Sequence, residues 1–255
     1  MYLLNTGNLL PGDIVLTAQD AKVSRKIRKH TKSDFSHALL YVSHSSYIHS
    51  DLNGVHSGNT QRLLFHDLAH AIVLRVSSPE HRNRIAMACE FARSQVGKQY
   101  SVVEAAKSLG NRKISAQTKA NRQFCSRLVA QSFAYANIPL VVNPDYCYPE
   151  DLHNPEYVAP IESPLRLATS FEIEFANSPS PLDLQRNITN DIIAMARKLS
   201  GEDIQTEEEI VDAILRQQQI DKPLTEFVRN SWYFDLWKID VENTRWRDDV
   251  LHFRA

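Results

Sequence analysis

The residues of this chain best suited to covalent chemistry are its three cysteines and ten histidines. A cysteine attacks a carbonyl carbon as its thiolate, and a helix start or an adjacent imidazolium lowers its pKa from roughly 8.5 toward neutrality or below. Cys125, in RQFCSRLVAQSF, falls in the first turn of a helix expected over 122–137, where unpaired backbone N–H groups favour an anion. Cys89 sits mid-helix between Ala88 and Phe91 and reads as a buried apolar filler. Cys147 lies in a Tyr- and Pro-flanked loop, expected exposed or half-buried, with no base beside it. A cysteine on an apolar helix face is more often core than catalyst. Cys125 therefore gains meaning only from its partners.

A nucleophilic thiol needs a base, and the base needs a group that orients it. Strand alternation narrows the ten histidines. In SHALLYV, His37 shares a face with Leu39 and Tyr41; in YIHSDL, His49 shares a face with Tyr47 and Asp51. If the two runs form an antiparallel hairpin, positions 37 and 49 have matching parity. They are expected to stand directly opposite, with Cβ atoms about 4.5–5.5 Å apart. A one-residue slip would separate them. The bland alternative is that each is a surface or structurally satisfied histidine.

The elements that must position these groups follow from the pattern. Pro11-Gly12-Asp13 is a turn feeding a strand, Ile14-Val15-Leu16. The basic stretch 20–34 is expected to form a short helix and loop, and residues 36–56 two strands around a Ser/His-rich turn. A helical turn over 63–68 precedes a strand, AIVLRV, at 71–76. Residues 79–96 carry an amphipathic helix ended by Gly97, followed by a helix at 101–109 and a polar loop. Asn137 and Pro139 stop the cysteine helix. A Pro-rich connection leads to FEIEF (171–175), expected as a final strand. Beyond Asn177 only helical patterns remain, with SPSP (178–181) as the boundary. The expected domains are 1–177 and a helical extension, 178–255, which either packs on the main domain or recognises a substrate or partner.

Composition excludes several classes. A net charge of −1 supplies no basic excess for nucleic acid. No run reaches the roughly 18 apolar residues that span a bilayer. The first residues lack the basic and apolar regions of a secretory signal, so cytoplasmic synthesis is expected, with signal-independent secretion as the alternative. Three dispersed cysteines form neither a disulfide framework nor a CxxC zinc motif. His66-Asp67-Leu68-Ala69-His70 puts two imidazoles one helical turn apart, which suits zinc, but the Glu of HExxH and a third ligand are missing. No cofactor or metal is expected.

Five short motifs in one order, GDIVLT, SDFSHALLYV, YIHSD, VGKQYS and FCSRLVAQSF, resemble the permuted NlpC-type papain-like cysteine hydrolases. The similarity is to the YaeF/YiiX-like branch, which is related to lecithin:retinol acyltransferase, and it spans roughly residues 9–176. PEDLHNP adds a Pro- and Asp-containing segment of the same kind. The resemblance implies an α+β permuted papain-like fold, a central antiparallel sheet packed on helices, with the C-terminal helical appendage left unexplained. It puts the base on His37, the third polar residue on His49 and the nucleophile on Cys125. One departure is that Ser126 is followed by Arg127 where many members carry an acidic residue.

The activity so implied is amide hydrolysis through an acyl-enzyme, on cell-wall peptides or related isopeptides. His37 would draw the thiol proton and His49 would hold His37. The Cys125 backbone N–H would meet the oxyanion, with Tyr100 in GKQYS a candidate second donor. The His-His-Cys set equally resembles the acyltransferase relatives, so lipid ester chemistry is the alternative. A non-enzymatic binding protein with a relic site is the third reading. The expected partners are a peptide or acyl substrate, and a protein partner for the C-terminal helices.

Overall fold

The computed structural model describes residues 1–18, 34–51, 53–99 and 116–238, with the backbone alone over 116–124. The chain divides into two compact units, Met1–Ser178 and Pro179–Ala255.

The first unit is built on a six-stranded antiparallel sheet in the order β5-β4-β3-β2-β6-β7. Its strands are β2 (Ile14–Thr17), β3 (His37–Ser43), β4 (Ser46–Asp51), β5 (Gly54–Asn59), β6 (Ala71–Val76) and β7 (Val158–Pro160). A small second sheet pairs β1 (Tyr2–Leu4) with β8 (Leu165–Leu167). The mixed α and β architecture around an antiparallel sheet agrees with the expected fold.

Central β2 is apolar at every position but its last and buried along its length, because both faces of the sheet are covered. Alternation sorts the side chains of β3. Ala38, Leu40 and Val42 join a core with Ile14, Leu16, Leu74 and the helices; Leu39 and Tyr41 join a second core with Val15, Val73, Phe65 and Leu165. The helices of the first core are α2 (Ile85–Ser94) and α3 (Ala116–Tyr135), which pack on each other and on β3. Arg93 Nη2 donates to the Val42 carbonyl at 2.8 Å and ties α2 to the end of β3.

One buried ion pair anchors the turn ahead of β2. Asp13, 1% exposed, takes Arg75 Nε at 2.8 Å and Nη2 at 2.7 Å, and also accepts the Leu10 N–H at 2.8 Å. The bidentate geometry satisfies both carboxylate oxygens, which is the condition for tolerating a buried charge.

Several expectations are corrected. FEIEF is not a strand: Ser170–Asn177 is a helix, α4. Thr169 caps it, accepting the Glu172 N–H, while Glu172 Oε2 accepts the Thr169 N–H at 2.9 Å. That is a capping box, and it overrides the strand-like alternation of Phe and Glu. The helix over 79–96 is two helices, α1 (Pro79–Arg82) and α2, because Ile85 is drawn onto the backbone of Gly12 and the chain re-aims at Asn83–Arg84. The helical turn over 63–68 is replaced by Phe65 bridging to Tyr2, with 3-10 turns at Thr60–Arg62 and Leu68–His70. The two strands expected over 36–56 are three, since the chain turns again at Asn53–Gly54 to form β5; β1, β7 and β8 also had no sequence expectation, and each has only three residues. The stretches 20–33 and 101–109, expected as helices, lie outside the described residues.

Among the described residues, the second unit contains the helices α5 (Pro181–Ser200), α6 (Glu207–Arg216) and α7 (Asp221–Asn230). They enclose a core of their own, formed by Ile188, Ile192, Ile193, Ala196, Ile204, Ile210, Ala213, Ile220 and Leu224. Gly201 closes α5 in the left-handed region at φ 73°, as helix C-termini favour. No described helix is long and apolar enough to cross a membrane.

The Asp13–Arg75 pair gives a direct test. Asp13→Ala removes the carboxylate from Arg75, which keeps its bond to the Asn8 carbonyl, and takes the acceptor from the Leu10 N–H; it is expected to lower unfolding free energy by about 1–3 kcal/mol, measured by urea denaturation.

Candidate active site

His37 opens β3 and is held from one side by β2, with Thr17 directly across from it. On the other side, β3 pairs with β4 only from Leu40–Ile48 outward to the bulged turn at Ser43–Ser46. Continued inward, this register sets Asp51, and not His49, across from His37. His49 stands on the diagonal, two residues closer to the turn. The expected direct opposition is therefore corrected: the chain reverses at His44–Ser45, later than a 37–49 pair requires, and the one-residue shift between Tyr41 and Ser43 brings the odd-numbered positions of the two strands onto one face. Diagonal neighbours are within reach of ring side chains. His37 Nε2 lies 2.8 Å from His49 Nδ1, with the rings 5.1 Å apart and nearly perpendicular at 84°.

The remaining strand order fixes His49. Across β4 and β5, His49 is paired directly with His56, and the rings lie 4.1 Å apart. Tyr47 packs on the other side of His49 at 5.2 Å. Opposite Tyr47 stands Gly58, where a Cβ would come within 2.2 Å of the phenol ring. The turn between β4 and β5 is equally tight: Gly54 has φ 95°, and a Cβ there would lie 2.5 Å from the Lys98 carbonyl oxygen. Only glycine tolerates that combination. The Val55 N–H donates to the same carbonyl at 2.8 Å, so the segment after α2 holds β5 in register.

Cys125 lies in α3, fully buried in the core that contains Ala38. The backbone N–H groups of Ala38, Ser126 and Cys125 itself lie near its sulfur and favour the anion. The Ala38 N–H thus turns to the thiol where β3 and β4 have parted. Burial outweighs these groups and pushes the thiol up to about 11. His37 is moved the other way: desolvation brings it down to about 4, opposed by the Asp51 carboxylate and reinforced by the charge of His56. Asp51 acts on Cys125 as well as on His37, which puts nucleophile and base candidates in one electrostatic neighbourhood. Near neutral pH the arrangement holds a thiol and a neutral imidazole rather than a preformed ion pair.

Two expectations about Cys125 and its surroundings change. The cysteine helix begins at Ala116, so more than two turns precede the thiol and Cys125 is not in a first turn. AQTKANRQ contains no Pro or Gly and is rich in good helix formers, so nothing in it stops the helix short. The Cys125 amide is then no free helix-start donor, and the reason for giving it the oxyanion falls away. Cys147 is buried, not exposed, and burial raises its pKa to about 12. Its carbonyl accepts the buried Ser126 hydroxyl at 2.6 Å, fastening the loop behind the nucleophile helix.

Tyr100 lies outside the described residues. His66 and His70 do not share a helix: Asp67 between them is extended, at φ −136° and ψ 151°, and caps a 3-10 turn that starts at Leu68. Among the described residues no group of three or more His, Cys, Asp or Glu side chains has the placement to hold a metal ion. Sequence reasoning missed three polar members of this region: His56, Asp51 in its electrostatic role, and Ser50, whose buried hydroxyl has no hydrogen-bond partner among the described residues. The parity of His56 within GVHSGN was the available signal, but a strand containing two glycines is hard to recognise.

Residues 8–163 match the family described as permuted papain-like amidase enzyme, YaeF/YiiX, C92 family. No curated protein matches the chain. The match covers more than half of the sequence, and the chain belongs to this family of papain-like amidases.

Two measurements follow from the geometry. Gly58→Ala is expected to cost about 1–3 kcal/mol by overpacking against Tyr47, and Tyr47→Leu added to it should restore most of the loss in urea unfolding. The second concerns pH. His37 titrates at about 4 in the folded chain against an ordinary 6.5, so between these values the unfolded chain takes up a proton that the native chain refuses. Stability should therefore fall as pH drops from 6.5 toward 4, by on the order of 2–3 kcal/mol, and this loss should shrink in His37→Gln.

Proposed function

We propose that this chain hydrolyses amide bonds through an acyl-enzyme on Cys125, with His37 as the base and His49 as the group that orients it. The observation that carries the reading is the 2.8 Å contact between His37 Nε2 and His49 Nδ1, one residue from the backbone N–H that meets the Cys125 sulfur. With Nε2 committed to His49, Nδ1 is the nitrogen of His37 left to take a proton. That role requires Nε2–H to donate to His49 Nδ1, a tautomer the second imidazole selects.

The chemistry then runs in two halves. The thiol proton passes to His37 Nδ1 as sulfur bonds to the carbonyl carbon. The Ala38 N–H favours the thiolate as it develops. The C–N bond breaks, and the proton on His37 leaves with the amine. Water, deprotonated by His37, attacks the thioester, and the thiol is regenerated by the same proton. Because thiol and imidazole are both neutral at rest, proton transfer accompanies attack.

Cell-wall peptides or related isopeptides are the substrate class that the family's amidase character supports best. The imidazole at position 49 favours a second reading, transfer or hydrolysis of lipid acyl esters, since acyltransferase relatives carry histidine there.

The test combines a thiol-directed probe with two substrate panels, peptidoglycan fragments and phospholipids, read by mass spectrometry. Cys125 is expected to label in a His37-dependent manner. Cleavage of the peptide panel should fall at least about 10³-fold in both Cys125→Ser and His37→Ala. Equal labelling of Cys89, Cys125 and Cys147 regardless of His37, with neither panel cleaved, would overturn the enzymatic reading. Cleavage confined to phospholipids would replace the substrate class.

A further inference from the structure

The polar chain does not end at His49. His56, directly across from it on β5, is buried at 8% exposure. Its Nδ1 lies 3.2 Å from the Gly54 carbonyl oxygen, which can only accept, so Nδ1 carries a proton. Its Nε2 faces Asp51 Oδ2 at 3.6 Å. A neutral ring would turn a lone pair toward that carboxylate, whereas a doubly protonated ring presents a cation to it. Asp51 is itself fixed, since Oδ1 accepts the Asn53 N–H at 2.7 Å. Both acceptors are set by the same tight turn, in which Gly54 cannot carry a side chain without striking Lys98.

We propose that His56 and Asp51 are positioning residues for the reaction: an imidazolium–carboxylate pair that packs against His49 and sets the basicity of His37 from behind. The proposal rests on His37 being the base and deepens that assignment. The geometry gives the two charges opposite effects. The His56 cation, set edge-on against the His49 ring, disfavours a second cation at His37. The Asp51 carboxylate, set across from His37 by the β3–β4 register, favours one. The lowered His37 titration, with Asp51 and His56 acting on it in opposite senses, agrees with this arrangement. Among the described residues, the groups around His37 are Thr17 from β2, Ala38 next to it on β3, His49 and Asp51 from β4, His56 from β5, and Cys125 from α3. Asp51 and His56 are the charges among them that act on it.

The sign difference makes the idea testable apart from any loss of packing. In His56→Asn the amide can still donate to the Gly54 carbonyl while the charge is gone. In Asp51→Asn the carbonyl can still accept the Asn53 N–H. The His37 ring is titrated by NMR in the full-length protein, wild type and both variants, and the pH dependence of kcat is measured on the peptide panel. His56→Asn is expected to raise the His37 pKa, and Asp51→Asn to lower it, each by about half a unit or more. The acid limb of kcat should move with each, and KM should not. Shifts in the same direction, or no shift in the NMR titration, would overturn the inference. NMR shifts of the expected opposite signs, with an unmoved rate profile, would uphold the charge pair and instead refute His37 as the base.

Discussion

The arrangement depends on the parting of two strands. β3 is bonded to β2 as far as His37, but its pairing with β4 stops at Leu40. The Ala38 N–H, which an unbroken ladder would give to β4, goes to the Cys125 sulfur. A backbone donor inside a core must be satisfied, and a thiol on a neighbouring helix satisfies this one. The same opening leaves His37 and His49 free to meet on a diagonal. Helix packing, strand register and thiol position are thus a single constraint.

That constraint explains the electrostatics. A thiol with no exposed surface and a half-buried imidazole both disfavour charge, so each titrates on the neutral side of its ordinary range. The fixed charges nearby are few. Asp51 touches both groups electrostatically, favouring a proton on each, and His56 opposes it at His37. Cys125 and His37 therefore hold no thiolate–imidazolium pair at rest. Membership of the amidase family is consistent with thiol chemistry, while the individual roles of Cys125, His37 and His49 are for the variants to decide.

Rigidity around the histidines comes from small residues and backbone. Gly58 makes room for the Tyr47 ring, which in turn borders His49. Gly54 lets β5 close against Lys98, and that closure sets the carbonyl that holds His56. Behind the nucleophile, the Ser126 hydroxyl secures the loop bearing Cys147. None of these contacts involves the Cys125 sulfur or the His37 ring directly, yet each fixes the orientation of a neighbour.

The amino-acid sequence by itself determined the strands whose alternation is strong, the parity shared by His37 and His49, and the candidate thiol, because these follow from periods of two and 3.6 along one segment. It also contained the capping signal of Thr169 and Glu172, which alternation in FEIEF masked. The diagonal in place of a direct pair was decided by a reversal at His44–Ser45 and the register shift beside it, features of two strands together. The start of the nucleophile helix at Ala116 and the burial of Cys147 likewise depended on what packs around them. His56 and Asp51 acquired their roles only when β5 closed on β4, since a charge acts through space and its neighbours in space are chosen by register.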